Sequence, residues 1–179
     1  MPLPQVITLH WTAGQYIPNS IDQKDYHGVI GKSTKTKDFT YIKLHNYHET
    51  LSHCWHENTG NIGISICGML NATEYNFGTY LITTEQLEIM YQAVAEICTL
   101  KNIPVEKVKT HGERAITMGY GVGSNDPQIR WDLGILQAIV LPLKLTPELV
   151  VKTGSFLRKK IAEKMKGLIW KYHNSSGKW

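Results

Sequence analysis

Short apolar segments rich in β-branched residues constrain the fold of this chain most strongly, because they predict the strands of a sheet. Such segments occupy residues 6–9, 26–30, 39–44, 61–68 and 108–110. Apolar runs of this length, bounded by turn-forming residues, are typical of strands. The first and the last run directly into histidines, His10 and His111, so we expect two imidazoles at strand ends.

One long helix is predicted between these strands, over residues 84–101. Its apolar residues recur at helical spacing on one face: Leu87, Met90, Tyr91, Val94, Ile97 and Cys98. Thr83 and Gln86 have the spacing of a capping box at its start, and Pro104 follows its end. Strands interleaved with helices, without an internal repeat, predict a mixed α/β domain. The glycine-rich residues 112–125 are predicted to be irregular, and residues 133–140 to form a short helix.

The last fifth of the chain has a different character. Residues 146–179 carry a net charge of +6, whereas residues 1–145 carry −2. Beyond Pro147 the apolar residues form one stripe among lysines, which predicts a cationic amphipathic helix. We therefore divide the chain into a domain of residues 1–145 and a basic helical tail of residues 146–179. The stripe either inserts at an anionic surface or packs on the domain, and the sequence leaves both open.

Composition places the chain among ordinary globular proteins, with 42% hydrophobic and 19% charged residues in 179. The N-terminal residues lack the basic and apolar regions of a signal peptide, so we expect synthesis in the cytoplasm. The three cysteines, Cys54, Cys67 and Cys98, form no Cys-x-x-Cys pair, which favours reduced thiols over disulfides.

Two histidines and a carboxylate are the residues with the clearest chemical potential. If His10, His111 and Asp132 came together, they would hold a zinc ion and leave its fourth position open, as zinc hydrolases do. The spacing by itself does not decide this, because buried histidines at strand ends also form ordinary hydrogen bonds.

Five blocks in order resemble the zinc-dependent N-acetylmuramoyl-L-alanine amidases, which include phage endolysins and animal peptidoglycan-recognition proteins. The blocks are residues 6–14, the Tyr-His strand at 26–30, His53 with residues 58–64, residues 110–113, and Arg130-Trp131-Asp132. Each block is weak alone, but their order and spacing make the resemblance specific. It covers roughly residues 5–140 and implies a mixed central sheet flanked by helices.

The resemblance also implies roles for single residues. His10, His111 and Asp132 take the positions of the zinc ligands. Tyr26 takes that of a tyrosine near the metal, and Arg130 that of a lysine that stabilises charge on the carbonyl oxygen. His53 and Asn58 are candidate substrate-binding residues.

Two positions depart from the family pattern. Ser65 stands where some members have a glutamate, which leaves the proton-transfer group open. Asp126, followed by proline, competes with Asp132 as the third ligand. We favour Asp132 because the charged residue two positions before the acid is retained at Arg130.

The implied activity is hydrolysis of the amide between N-acetylmuramic acid and L-alanine in peptidoglycan. A phage or prophage endolysin, which acts on the cell wall after release, fits a chain with no predicted signal peptide. A delivered antibacterial amidase effector and a non-catalytic peptidoglycan-binding module are the alternatives. We expect peptidoglycan as the substrate, an anionic envelope or membrane surface as the contact of the tail, no nucleic-acid partner, and a monomer.

Overall fold

A computed structural model describes residues 3–35, 37–73, 76–126, 129–136 and 145–175, with side chains described up to residue 168. The strands are β1 (Val6–Trp11), β2 (Gly28–Lys32), β3 (Phe39–Lys43), β4 (Asn61–Ile66) and β5 (Val108–Thr110). The helices are α1 (Ser20–Asp25), α2 (Thr84–Lys101), α3 (His111–Met118) and α4 (Pro147–Ser175).

The five strands form one sheet in the order β3-β2-β4-β1-β5. The β2–β3 pair is antiparallel, and the pairs of β4 with β2, β1 with β4 and β1 with β5 are parallel. The predicted mixed sheet flanked by helices is therefore confirmed. Strand β2 begins two residues later than predicted, because Tyr26 caps the end of α1 and its amide donates to the Asp22 carbonyl.

Side chains alternate between the two faces of the central strands. Strand β4 reads Asn-Ile-Gly-Ile-Ser-Ile, and its three isoleucines join Ile7, Leu9 and Trp11 of β1 in the apolar core. The register places Thr8 opposite Gly63 and His10 opposite Ser65. The other face of the sheet centre is thus made of small and polar side chains, and His10 belongs to it.

Helix α2 covers the apolar face. Thr83 accepts from the amide of Gln86, and the Gln86 side chain accepts from the amide of Thr83, so the predicted capping box is present. Met90 and Val94 are fully buried in the same core as the isoleucines of β4. The buried Gln86 amide also donates to the Cys67 carbonyl, which ties the start of the helix to the end of β4.

The prediction that residues 112–125 are irregular was wrong for the first part of this segment. Helix α3 runs from His111 to Met118 and begins with a capping box between Thr110 and Glu113. Gly119 ends it in the left-handed conformation, at φ 85°. The glycines therefore mark the end of the helix rather than the absence of one. Residues 133–136 form turns instead of the start of a helix, and residues 137–140 lie outside the described part.

Helix α4 packs on the domain through its apolar stripe. Val150, Leu157 and Ile161 are at most 1% exposed, and the last two belong to the apolar core. Arg158 donates to both carboxylate oxygens of Glu113, at 2.8 and 2.9 Å, and to the Val108 carbonyl at 3.1 Å. Leu157 and Ile161 are thus buried where α4 contacts the domain, Met165 and Leu168 are partly buried, and Phe156 of the same stripe is 45% exposed. None of the described helices has the length and apolar character needed to span a membrane.

Candidate metal centre

His10 and His111 lie side by side because they follow paired residues of neighbouring parallel strands. Leu9 of β1 is opposite Thr110 of β5, and a histidine comes next in each chain segment. The two imidazole centroids are 4.6 Å apart. Polar residues at the carboxyl ends of parallel strands are a common origin of sites in α/β proteins.

Asp132 completes the group, and it lies in a segment outside the strands. Its Oδ2 lies 3.5 Å from Nδ1 of His10 and 3.3 Å from Nδ1 of His111. Its neighbours hold it there: Trp131 packs edge-on against Trp11, and Leu133 is fully buried. The Asp132 carbonyl also accepts from the Gly112 amide at the start of α3.

The three donor atoms are close enough together to hold one metal ion. All lie within 4.8 Å of one another. Ligands about 2.0–2.2 Å from a tetrahedral zinc are separated by about 3.3 Å, which agrees with both distances to Asp132. Two imidazole nitrogens and one carboxylate oxygen are also a ligand set that suits zinc. The residues present therefore fit the ion that the resemblance implies.

Burial and mutual charge set the protonation of the three groups. Burial lowers the pKa of His10 to about 4, so its ring is neutral. Burial also disfavours charge on His111, but the Asp132 carboxylate outweighs it and raises the pKa of that ring to about 9. Burial also disfavours charge on the Asp132 carboxylate, but the positive charge of His111 and the hydrogen bond from that ring keep its pKa below the usual range.

Asp126, the competing acid, does not join this group. It lies on the rim of a cavity of about 470 Å³ that His111, Tyr120 and Arg130 also line. Its amide donates to the Ser124 hydroxyl, and its carboxylate is not among the donors that surround the two histidines. The geometry thus favours Asp132 as the acid, as the sequence predicts.

Tyr26 and Ser65 lie beside His10 on the polar face of the sheet. The Tyr26 ring is 5.2 Å from the His10 ring, and Ser65 is the register partner of His10 in β4. Burial and the Asp132 carboxylate raise the pKa of the Tyr26 phenol well above its usual range, so it keeps its proton at neutral pH. The Ser65 hydroxyl is buried and lies close enough to the Tyr26 phenol to interact with it.

Two cavities meet at the centre. One, of about 370 Å³, is lined by His10, Tyr26, Asp132 and residues of α1. The other is the 470 Å³ cavity with the exposed Trp55 at its edge. Both are lined by Ser52, His53, His111 and Arg130. The pair forms one groove beside the three donors, with Arg130 and His111 at the junction of the two cavities.

The side chains of His53 and Asn58 make contacts within the protein, whereas a substrate contact requires free polar atoms. His53 is 7% exposed, and its Nδ1 lies 3.2 Å from Nε2 of His10. Burial lowers the pKa of His53 to about 2, so this ring is neutral. The Asn58 side chain accepts from the amides of His53 and Cys54 and so shapes the loop. A role of either residue in binding substrate stays a prediction.

Sequence reasoning missed Tyr120. Its hydroxyl lies 3.5 Å from Nε2 of His111, and its ring stands edge-on to that of Trp55. Tyr120 follows the left-handed Gly119 at the end of α3, in a segment where no sequence pattern predicted an ordered site residue.

A family model for N-acetylmuramoyl-L-alanine amidases matches residues 1–128, which is more than two thirds of the chain. The chain belongs to this family. The match includes His10, Tyr26, His53 and His111, and it ends before Asp132. A search of curated proteins finds no significant match.

Solved structures with a similar fold are found as well. A mutant of PlyL aligns with a TM-score of 0.54 at 15% identity, over 89% of this chain and 85% of that one. AmpDH3 from Pseudomonas aeruginosa aligns with a TM-score of 0.51 at 16% identity, over 63% of this chain and 52% of the other. At these identities the likeness establishes the amidase fold for this chain.

Proposed function

We propose that the protein is a zinc-dependent amidase that cleaves the bond between the lactyl group of N-acetylmuramic acid and L-alanine in peptidoglycan. The observation that carries this proposal is the zinc-like spacing of the His10, His111 and Asp132 donors in a member of the amidase family. A relative that only binds peptidoglycan would not need a complete ligand set beside an open groove.

The donors and their surroundings have separate tasks in this reaction. When bound, zinc lowers the pKa of a water molecule to about 7 and polarises the substrate carbonyl. The Tyr26 phenol, which keeps its proton, donates a hydrogen bond to the oxyanion of the tetrahedral intermediate. Arg130 adds positive charge at the same junction, and a guanidinium delivers it as a planar fork. Charge placed in advance around a developing oxyanion is a large catalytic contribution.

The groove gives the substrate room on both sides of the scissile amide. The cavity beside Tyr26 is lined by all three donor residues, and the cavity beside Trp55 is lined by one of them, His111. Cleavage between a sugar and a peptide requires space for both parts of the substrate at once. Two cavities that share lining residues at the metal centre provide it.

The amide bond is tested by the products released from purified peptidoglycan. We expect new N-terminal L-alanine amines and no new reducing sugar ends, with loss of both zinc and activity in His10→Ala. New reducing ends would identify a glycosidase instead. A His10→Ala variant that kept one zinc per chain would contradict the ligand set.

We propose further that the enzyme acts as an endolysin and that its basic tail contacts an anionic envelope surface. Burial of Leu157 and Ile161 favours contact by the exposed lysines of α4, Lys152, Lys159 and Lys166, over insertion as the mode of attraction. Binding to anionic vesicles should then fall steeply as salt increases, and neutral vesicles should not bind.

A further inference from the structure

Two buried imidazoles and one backbone carbonyl form a chain of hydrogen bonds behind the candidate metal centre. Nε2 of His10 lies 3.2 Å from Nδ1 of His53, and the two rings are nearly perpendicular, at 86°. Nε2 of His53 lies 3.0 Å from the carbonyl oxygen of Asn61. His10 is 1% exposed and His53 is 7% exposed, so water does not compete for these contacts.

The carbonyl at the end of this chain fixes the direction of every hydrogen bond in it. A carbonyl oxygen only accepts, so Nε2 of His53 carries a proton and donates it. A neutral imidazole has one donor and one acceptor, and Nδ1 of His53 is therefore the acceptor. Nε2 of His10 must then be the donor. The remaining nitrogen of His10, Nδ1, keeps its lone pair and faces Asp132.

We propose that His53 is a positioning residue that holds His10 in the Nε2–H tautomer, with Nδ1 free to bind zinc. The inference rests on the proposed zinc centre. Partners of this kind fix the tautomer and orientation of ligand histidines in many metal sites. Both nitrogens of His53 are engaged within the protein, which favours this role over the predicted contact with substrate.

The surroundings of His53 are built to hold the ring in place. A Cβ atom at Gly63 would lie 2.6 Å from Cγ of His53, so the ring needs the glycine of β4 beneath it. The His53 amide donates to the Asn58 side chain. Asn61 is fixed in turn, because its side chain accepts from the Thr8 hydroxyl and donates to the Glu57 carbonyl. The last acceptor of the chain therefore cannot move freely.

A matched pair of substitutions separates the acceptor from the shape of the side chain. His53→Asn can place an amide oxygen near the position of Nδ1, whereas His53→Leu has the same branching and no acceptor. We expect His53→Leu to weaken zinc binding, measured by competition with a chromophoric chelator, by about 10- to 100-fold. His53→Asn should stay within a few-fold of the wild type. Circular dichroism melting establishes that both variants are folded.

Nitrogen-15 NMR of the histidine rings tests the tautomers directly in the wild-type protein. We expect His53 as the Nε2–H tautomer with or without zinc, and His10 as the Nε2–H tautomer in the metal-free protein. A proton on Nδ1 of His53 would overturn the inference without any variant. Equal zinc affinity in the wild type and His53→Leu would overturn it as well, and so would equal losses in the two variants. A wild type that binds no zinc would instead refute the proposed centre, and this inference with it.

Discussion

Arg158→Met should lower the free energy of unfolding by about 3–5 kcal/mol, because it leaves the buried Glu113 carboxylate without its cation. Arg158 gives that carboxylate two hydrogen bonds, at 2.8 and 2.9 Å, and the Glu113 side chain is 6% exposed. After the substitution, the Thr110 amide at 2.9 Å is the remaining partner among the described contacts of that carboxylate. Methionine keeps much of the aliphatic volume, so the loss reports the charge rather than a cavity.

Guanidinium denaturation followed by circular dichroism measures this loss. For a chain of this size it corresponds to a fall in Tm of roughly 10 °C. Lys164→Met is the control, since Lys164 also joins α4 to the domain but pairs with Glu88 where both side chains are exposed. We expect that variant to lose less than about 1 kcal/mol.

A double-mutant cycle decides whether loss of the Arg158–Glu113 ion pair causes the lower stability. Glu113→Gln removes the charge and keeps a residue suited to the capping box of α3. The double variant Glu113→Gln with Arg158→Met should be more stable than Arg158→Met alone. Strictly additive losses of unfolding free energy, or a loss below about 1 kcal/mol for Arg158→Met, would refute the reasoning. The ion pair would then not be what holds α4 on the domain.

Three further predictions concern the groove and the metal centre. Zinc binding at pH 7 should release about one proton from His111, because its pKa is raised to about 9 in the metal-free site. About half a proton from the metal-bound water, whose pKa is about 7, adds to it. Calorimetry in buffers of different ionisation enthalpy measures the total, and the His111 share should fall as pH rises past 9. A total of only about half a proton at pH 7 would mean that His111 is already neutral. Gly63→Ala should weaken zinc binding, because the added Cβ would displace the His53 ring. Unchanged zinc affinity in a folded variant would contradict the close approach of Gly63 and His53. Trp55→Ala should raise KM for peptidoglycan several-fold with little change in kcat or Tm. The reason is that this exposed ring borders the groove without belonging to the core. An unchanged KM would mean that Trp55 does not contact the substrate.

The strands, and which of their side chains are apolar or polar on each face, were predictable because both depend on residues close together in the sequence. The alternation in β4 assigns its isoleucines to one face and its small polar residues to the other, whatever the rest of the chain does. The capping residues of α2 act within four positions, so the start of that helix was also predicted. The start of α3 was missed although Thr110 and Glu113 have the same spacing, because the glycines further along favoured an irregular segment.

The sequence by itself determined that His10 and His111 lie near the ends of strands, and so which imidazoles were available for a metal. Only the tertiary structure decided the partners of those imidazoles. Asp132 rather than Asp126 reaches them because Trp131 and Leu133 are buried on either side of it. His53 reaches His10 because β4 lies next to β1 in the sheet and carries glycine at the point of contact. Leu157 and Ile161 of α4 meet the core rather than solvent for the same reason. Contacts between distant segments depend on the order of elements in space, which no local pattern encodes.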